Sequence, residues 1–135
     1  MTYTDSDLVK IAEKARESAY CPYSGFAVGA ALLTADGDVY TGLNIENAAF
    51  SPSVCAERTA FFKAISDGKK NFVKIAVVGG KVGERISAEC TPCGVCRQVM
   101  AEFCNSDFVI LTYDGASITS RTLSEILPAS FGLKQ

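Results

Sequence analysis

The 135-residue chain has a net charge of −2, 21% charged and 48% hydrophobic residues, the balance of a folded globular protein and not of a disordered one. This length predicts one domain, residues 1–135, able to bury roughly two-thirds of its unfolded surface. The acidic balance, with Lys69-Lys70 the only adjacent basic pair, argues against nucleic acid as a partner, and no stretch approaches the roughly 18 apolar residues of a membrane span.

Residues 5–20 read as an amphipathic helix, with Leu8, Ala12, Ala15 and Ala19 at helical spacing and Thr4 or Asp5 suited to its N-cap. Cys21-Pro22-Tyr23-Ser24-Gly25 ends it. Residues 26–34 are almost unbroken apolar, as in a strand covered on both faces, and Gly29 within them predicts a close approach by another backbone. A turn at 35–38 leads to an antiparallel return over 39–43. Residues 44–53 form a polar loop in which Asn44, Glu46 and Asn47 are suited to recognising hydroxyls.

A second helix is expected from Cys55 to Asp67, closed by Gly68, and a third strand over 72–79. Residues 80–92 form a long loop of no obvious type. Further elements are a third helix over 93–104, strands over 107–113 and 117–120, and a helical turn over 122–127 stopped by Pro128. Helices interleaved with strands, after an initial hairpin, predict a layered α/β domain with a mixed sheet.

The start of the chain has no basic region followed by an apolar run, so a cytoplasmic location is expected, where thiols stay reduced. The six cysteines are therefore not read as disulfides, and Cys21, Cys90 and Cys104 suit ordinary core packing. Cys93 and Cys96 do not, because Pro92-Cys93-Gly94-Val95-Cys96 is a sharp turn feeding a helix that aims both thiols at one point. A redox dithiol would open the helix after the first strand of its unit. This pair comes late, and a third thiol, Cys55, opens the preceding helix, which favours a metal. Three soft ligands without an obvious fourth point to zinc with one position open to water.

The chain contains no histidine, so an acid or base working near neutral pH must be a tuned carboxylate, lysine or thiol. Glu57 is the candidate, yet residues two apart on a regular helix do not share a face. Cys55 and Glu57 can address one site only if Cys55 lies at the very start of its helix. Three thiolates also acidify a bound water less than neutral ligands do. That calls for a base beside the water and a cation beside the sulfurs, for which Arg58 and Arg97 are candidates.

These motifs resemble the zinc-dependent base deaminases, in which a metal ligand, one residue and a glutamate are followed by Pro-Cys-x-x-Cys. Cys55-Ala56-Glu57 and Pro92-Cys93-Gly94-Val95-Cys96-Arg97-Gln98 match the three-cysteine form. More narrowly, the chain resembles the small homotetrameric cytidine deaminases along nearly its whole length. Tyr20-Cys21-Pro22-Tyr23-Ser24, Phe26, Val28-Gly29-Ala30-Ala31-Leu32, Gly42, Asn44-Ile45-Glu46-Asn47-Ala48, Leu127-Pro128 and Phe131 carry the likeness.

The resemblance implies a three-layer α/β/α sandwich around a mixed sheet of roughly five strands. It also implies one Zn2+ per subunit held by Cys55, Cys93 and Cys96, with Glu57 shuttling protons in the hydrolytic deamination of cytidine and 2′-deoxycytidine. In the same reading Asn44 and Glu46 bond the ribose, Phe26 packs on the pyrimidine and the backbone of Ala56 helps place the base. Ala48, with Phe50 on the same loop, and Phe131 reach the site of a neighbouring subunit, so active sites would be shared within a homotetramer. Phe50 stands where similar proteins often carry tyrosine, and no contact is carried over for its missing hydroxyl. Two other functions fit the motifs less well: deamination of another aminopyrimidine nucleoside of the blasticidin type, and a structural zinc module with Glu57 or Cys90 as fourth ligand.

Overall fold

A computed structural model describes residues 2–134. Its sheet has five strands, β1 (Phe26–Thr34), β2 (Val39–Leu43), β3 (Phe72–Lys81), β4 (Val109–Tyr113) and β5 (Ile118–Thr122), in the order β2-β1-β3-β4-β5. Only β3 and β4 are parallel, and the other three pairings are antiparallel. The parallel pair requires a crossover, which α3 (Gly94–Phe103) supplies.

Alternation along the strands feeds two apolar layers. Ala30, Leu32, Ile75, Val77 and Ile110 pack with Phe61 of α2 (Ala56–Ser66), Met100 of α3 and Leu123 of the short α4 (Leu123–Ile126). Ala31, Ala76, Val78 and Leu111 face the other way, onto Leu8, Val9 and Ala12 of α1 (Asp5–Ala15). With α1 on one face and α2, α3 and α4 on the other, the sheet is covered on both sides. This is the mixed α/β/α architecture expected above, and it explains why β1 has no polar face.

Two glycines set how closely helices approach. A Cβ at Gly29 would lie 1.9 Å from the Ala12 carbonyl oxygen, so α1 rests directly on β1, as the glycine in that apolar run predicted. A Cβ at Gly42 would lie 2.1 Å from the Ala56 carbonyl oxygen and 2.6 Å from the Ala60 nitrogen, which seats the first turn of α2 on β2.

Several boundaries differ from the periodicity. Regular α1 stops at Ala15 and a 3-10 turn covers Arg16–Ser18, instead of a helix reaching residue 20. Beyond it, the Tyr20 amide donates to the Asn44 carbonyl and the Glu46 amide donates to the Tyr20 carbonyl. That bridge demands extended backbone where local spacing favours helix. The N-terminus of α1 is a capping box, with the Asp7 amide donating to the Thr4 hydroxyl and the Thr4 amide to the Asp7 carboxylate. Strand β3 runs on to Lys81 because Phe26 pairs with it. The segment from Val82 to α3 is tied down by the buried Ile86 and by Glu89, which accepts from Arg121 at 2.8 Å and from the Thr112 hydroxyl at 3.0 Å.

Candidate active site

The site is built where α2 and α3 begin. Cys55 is the N-cap of α2 and Cys93 the N-cap of α3, both in extended backbone conformation. Neither side chain caps its own helix, so both sulfurs are free to face outward from the helix ends. Glu57 and Cys96 follow in the first turns. Cys55 thus lies before the helical geometry sets in, which allows a residue two positions on to share its site.

The Sγ atoms of Cys55 and Cys93 are 3.8 Å apart and those of Cys93 and Cys96 3.6 Å apart, with all three inside 4.8 Å of one another. Tetrahedral zinc at about 2.3 Å from each sulfur sets ligand sulfurs about 3.8 Å apart, so the cluster has the dimensions and the soft donors for that ion. Cys55 and Cys93 line a cavity of about 610 Å³, and a tetrahedral ion held by the three sulfurs would have one ligand position left for water. Cys90 lines the cavity but lies outside the sulfur cluster.

Charge around the sulfurs is strongly shaped. In the metal-free chain Cys55 is pulled down to about 5, first by its hydrogen bond with Cys96, then by Arg58 and Cys93 against the opposing effect of burial. Cys96 moves upward, because it donates to the Cys55 sulfur and is itself buried. The two shifts describe one proton held between neighbouring sulfurs, which a metal ion would displace. Arg58 Nη2 donates to Cys55 Sγ at 3.3 Å, while its Nε is buried without a partner. The positive ends of two helices reinforce that cation.

Glu57 is 4% exposed, and burial above all, with the Cys55 charge beside it, pushes its carboxyl up to about 7. A carboxyl group tuned to neutral pH exchanges protons in both directions, the property the chain otherwise lacks for want of histidine.

Phe26, Asn44, Glu46, Cys55, Ala56, Glu57, Arg58 and Cys93 all line the one cavity. The Asn44 amide grips β1, its Nδ2 donating to the Phe26 carbonyl at 2.8 Å and its Oδ1 accepting from the Val28 amide at 2.9 Å. A Cβ at Gly79 would meet both the Phe26 ring and Cys90 Sγ at 2.9 Å, so this glycine makes room for the ring at the cavity wall. Ala48 and Phe131 lie apart from the cavity of their own chain, Phe131 being 69% exposed with its carbonyl accepting from Gln98 at 3.0 Å.

Three further placements bear on the site. Phe50 lines the cavity of its own chain and has a positive φ of 65°, costly for a side-chain-bearing residue. Arg97 does not point at sulfur: Nε donates to the Pro92 carbonyl and Nη1 to the Ile126 carbonyl, each at 2.8 Å. It therefore braces the loop before Cys93 against the end of α4. Cys90 packs against the core as expected and also lines the cavity, a second role for which its place three residues before Cys93 was the available signal.

Comparison with known proteins agrees with this chemistry. Residues 2–112 match the family model described as the cytidine and deoxycytidylate deaminase zinc-binding region. A cytidine deaminase of Sporosarcina psychrophila is 52% identical over 125 residues, covering 92% of this chain and 88% of its own. One from Halalkalibacterium halodurans is 51% identical over 125 residues, covering 92% and 91%. The crystal structure of cytidine deaminase from Burkholderia pseudomallei superposes with a TM-score of 0.86 at 40% identity, over 95% of this chain and 99% of that one. The match extends well past the thiol motifs into the sheet and its covering helices, and on that ground the chain belongs to the cytidine and deoxycytidylate deaminase zinc-binding family.

Proposed function

We propose that this chain, acting as a single catalytic domain, is a zinc-dependent cytidine deaminase. It converts cytidine and 2′-deoxycytidine to uridine and 2′-deoxyuridine by adding water at C4 and releasing ammonia. The observation that carries this reading is a cluster of three thiols, two of which (Cys55 and Cys93) open with the buried, near-neutral Glu57 onto the cavity that holds Phe26, Asn44 and Glu46.

Cys55, Cys93 and Cys96 would hold the ion, which when bound acts as a Lewis acid toward water. Glu57 accepts the proton of the attacking water, delivers it to N3 of the pyrimidine and carries a second proton to the departing amine. Its burial excludes bulk water from those transfers, and the backbone of Ala56 helps seat the base. Arg58 offsets part of the sulfur charge through its bond to Cys55. Phe26 packs on the pyrimidine ring, while Asn44 and Glu46 bond the ribose. Asn44 spends one donor and one acceptor on β1 and keeps a second N–H for that purpose.

The same reading makes the enzyme a homotetramer in which Ala48 and Phe131 complete a neighbour's site. Their exposure, together with the 46% exposed Phe62 beside a groove over the outer face of α2, supports it. It also places the enzyme in pyrimidine salvage in the cytoplasm, where a three-thiol site stays reduced. No helix among the described residues is long and apolar enough to cross a membrane.

The test is to incubate purified protein with cytidine and follow the loss of cytosine absorbance, with and without chelator. Turnover abolished by chelator and restored by zinc is expected. No turnover by zinc-loaded, folded protein, or turnover of a blasticidin-type nucleoside alone, overturns the reading. Sedimentation of the same sample should give four copies, and a monomer at micromolar concentration overturns the shared-site assembly.

A further inference from the structure

The turn preceding β1 donates hydrogen bonds to Glu46 through residues to which the reaction above assigns no role. Gly25, with φ of 68°, lets the backbone fold back so that its amide donates to the Cys21 carbonyl at 2.9 Å. In that turn the amides of Tyr23 and Ser24 donate to Glu46 Oε1 at 3.0 and 3.1 Å. The Ser24 hydroxyl donates to the other oxygen, Oε2, and accepts from the Phe26 amide at 3.0 Å. A hydroxyl has one proton. With an amide filling its acceptor side, Ser24 directs that proton at Glu46.

Three donors from one turn thus orient both oxygens of Glu46. The Ser24 hydroxyl first, with the backbone amides of Ser24 and Tyr23, holds its carboxyl below the usual carboxylate range despite opposing desolvation. An ionised carboxylate only accepts hydrogen bonds, so the ligand groups it selects must be donors, such as sugar hydroxyls. Ser24 lines a neighbouring cavity of about 320 Å³ that shares Glu46, Phe50 and Ser53 with the larger one, and it is absent from the wall of the larger one. Any effect it has on substrate must therefore pass through Glu46 or Phe26.

We infer that Ser24 is a positioning residue that aims the Glu46 carboxylate at the substrate's sugar and thereby sets the preference for nucleosides carrying ribose hydroxyls. The inference rests on Glu46 being the sugar-binding carboxylate. Its two routes of action are separable. Disturbing Phe26, which packs on the base, would weaken every substrate alike, whereas releasing Glu46 weakens only those with the hydroxyls it binds.

The experiment compares the zinc-loaded parent with Ser24→Ala, Ser24→Thr and Glu46→Gln on cytidine and on 2′,3′-dideoxycytidine, which lacks the 2′ and 3′ hydroxyls. Ser24 is exposed, and circular dichroism and zinc content confirm each fold before kinetics. Ser24→Ala should raise KM for cytidine about tenfold, the loss of one charge-assisted hydrogen bond. Its kcat, and its KM for dideoxycytidine, should stay within about twofold of the parent, because the reacting base is untouched. Ser24→Thr, which keeps the hydroxyl, should restore the parental KM. Equal effects on both substrates, no effect on either, or a threonine variant that behaves like alanine overturns the inference. If Glu46→Gln loses the preference for cytidine while Ser24→Ala keeps it, the inference falls and the sugar-binding role of Glu46 stands. If Glu46→Gln itself keeps the preference, that role falls and takes the inference with it.

Discussion

Glu57 shows how one burial decides both chemistry and stability. Replacing it with glutamine keeps shape and removes the proposed proton carrier, so Glu57→Gln should stay folded and metallated while kcat drops at least ~10²-fold, the usual contribution of a positioned acid–base. Zinc content and kcat measured on one preparation check this, and lost metal would mark Glu57 as a ligand instead. The same residue has a cost in the metal-free chain. Its carboxyl moves from an ordinary 4.5 to about 7 on folding, so between those values the folded state holds a proton that the unfolded state has released. Stability then falls as pH rises through that window and stays low above it, by roughly 3 kcal/mol in all at ~1.4 kcal/mol per pH unit. With chelator present, the stability of Glu57→Gln relative to the parent should therefore climb from pH 5 to pH 7.5, as read by urea denaturation. A constant difference would show that Glu57 does not titrate there. The identity of these residues was legible in the sequence; the other occupations of Asn44 and Glu46 were not. Their partners on β1 and in the 21–25 turn lie 16 to 23 positions away, beyond the reach of local spacing.

Among elements, the start of α2 is the critical one, because it carries Cys55, Glu57 and Arg58 together. Its seat is Gly42 on β2, where any Cβ would run into helix backbone that cannot rotate away. Gly42→Ala should cost about 1–3 kcal/mol of stability and speed zinc release to a chelator, since α2 must shift as a unit. Stability lost without faster release would mean the metal site tolerates that shift. Periodicity located every helix and strand but misjudged ends wherever a distant partner overrode local preference. Residues 16–20 turn away from α-helix because Tyr20 bridges to the loop after β2, and because Arg16 donates to the carbonyls of Ala27 and Gly80. Residues 80 and 81 join β3 because β1 is long enough to pair with them.

For the whole molecule, zinc would join the starts of two helices that hydrogen bonds connect only weakly, so its removal should be felt globally. Ligation that binds only the folded state adds a few kcal/mol at a large excess over the dissociation constant. Stripping the metal should therefore lower the melting midpoint by roughly 10 °C, seen by calorimetry with and without chelator. An unchanged midpoint would mean that the three sulfurs hold no ion. The sequence by itself determined the layered α/β class, the thiol set and the need for Cys55 to lie at a helix start, because these follow from local periodicity, motif spacing and helix geometry. It did not determine the strand order β2-β1-β3-β4-β5, the turn of Arg97 toward carbonyls, or the way Ser24, Glu46, Asn44 and Phe26 share one network. The strand order follows from which strands pair in the assembled sheet, and Arg97 turns to the Pro92 and Ile126 carbonyls that folding brings within reach. The network forms where the sheet sets the 21–25 turn beside the loop after β2. Hydrogen-bond partners of polar side chains depend on which backbone groups folding leaves unpaired nearby, and that is a property of the assembled chain.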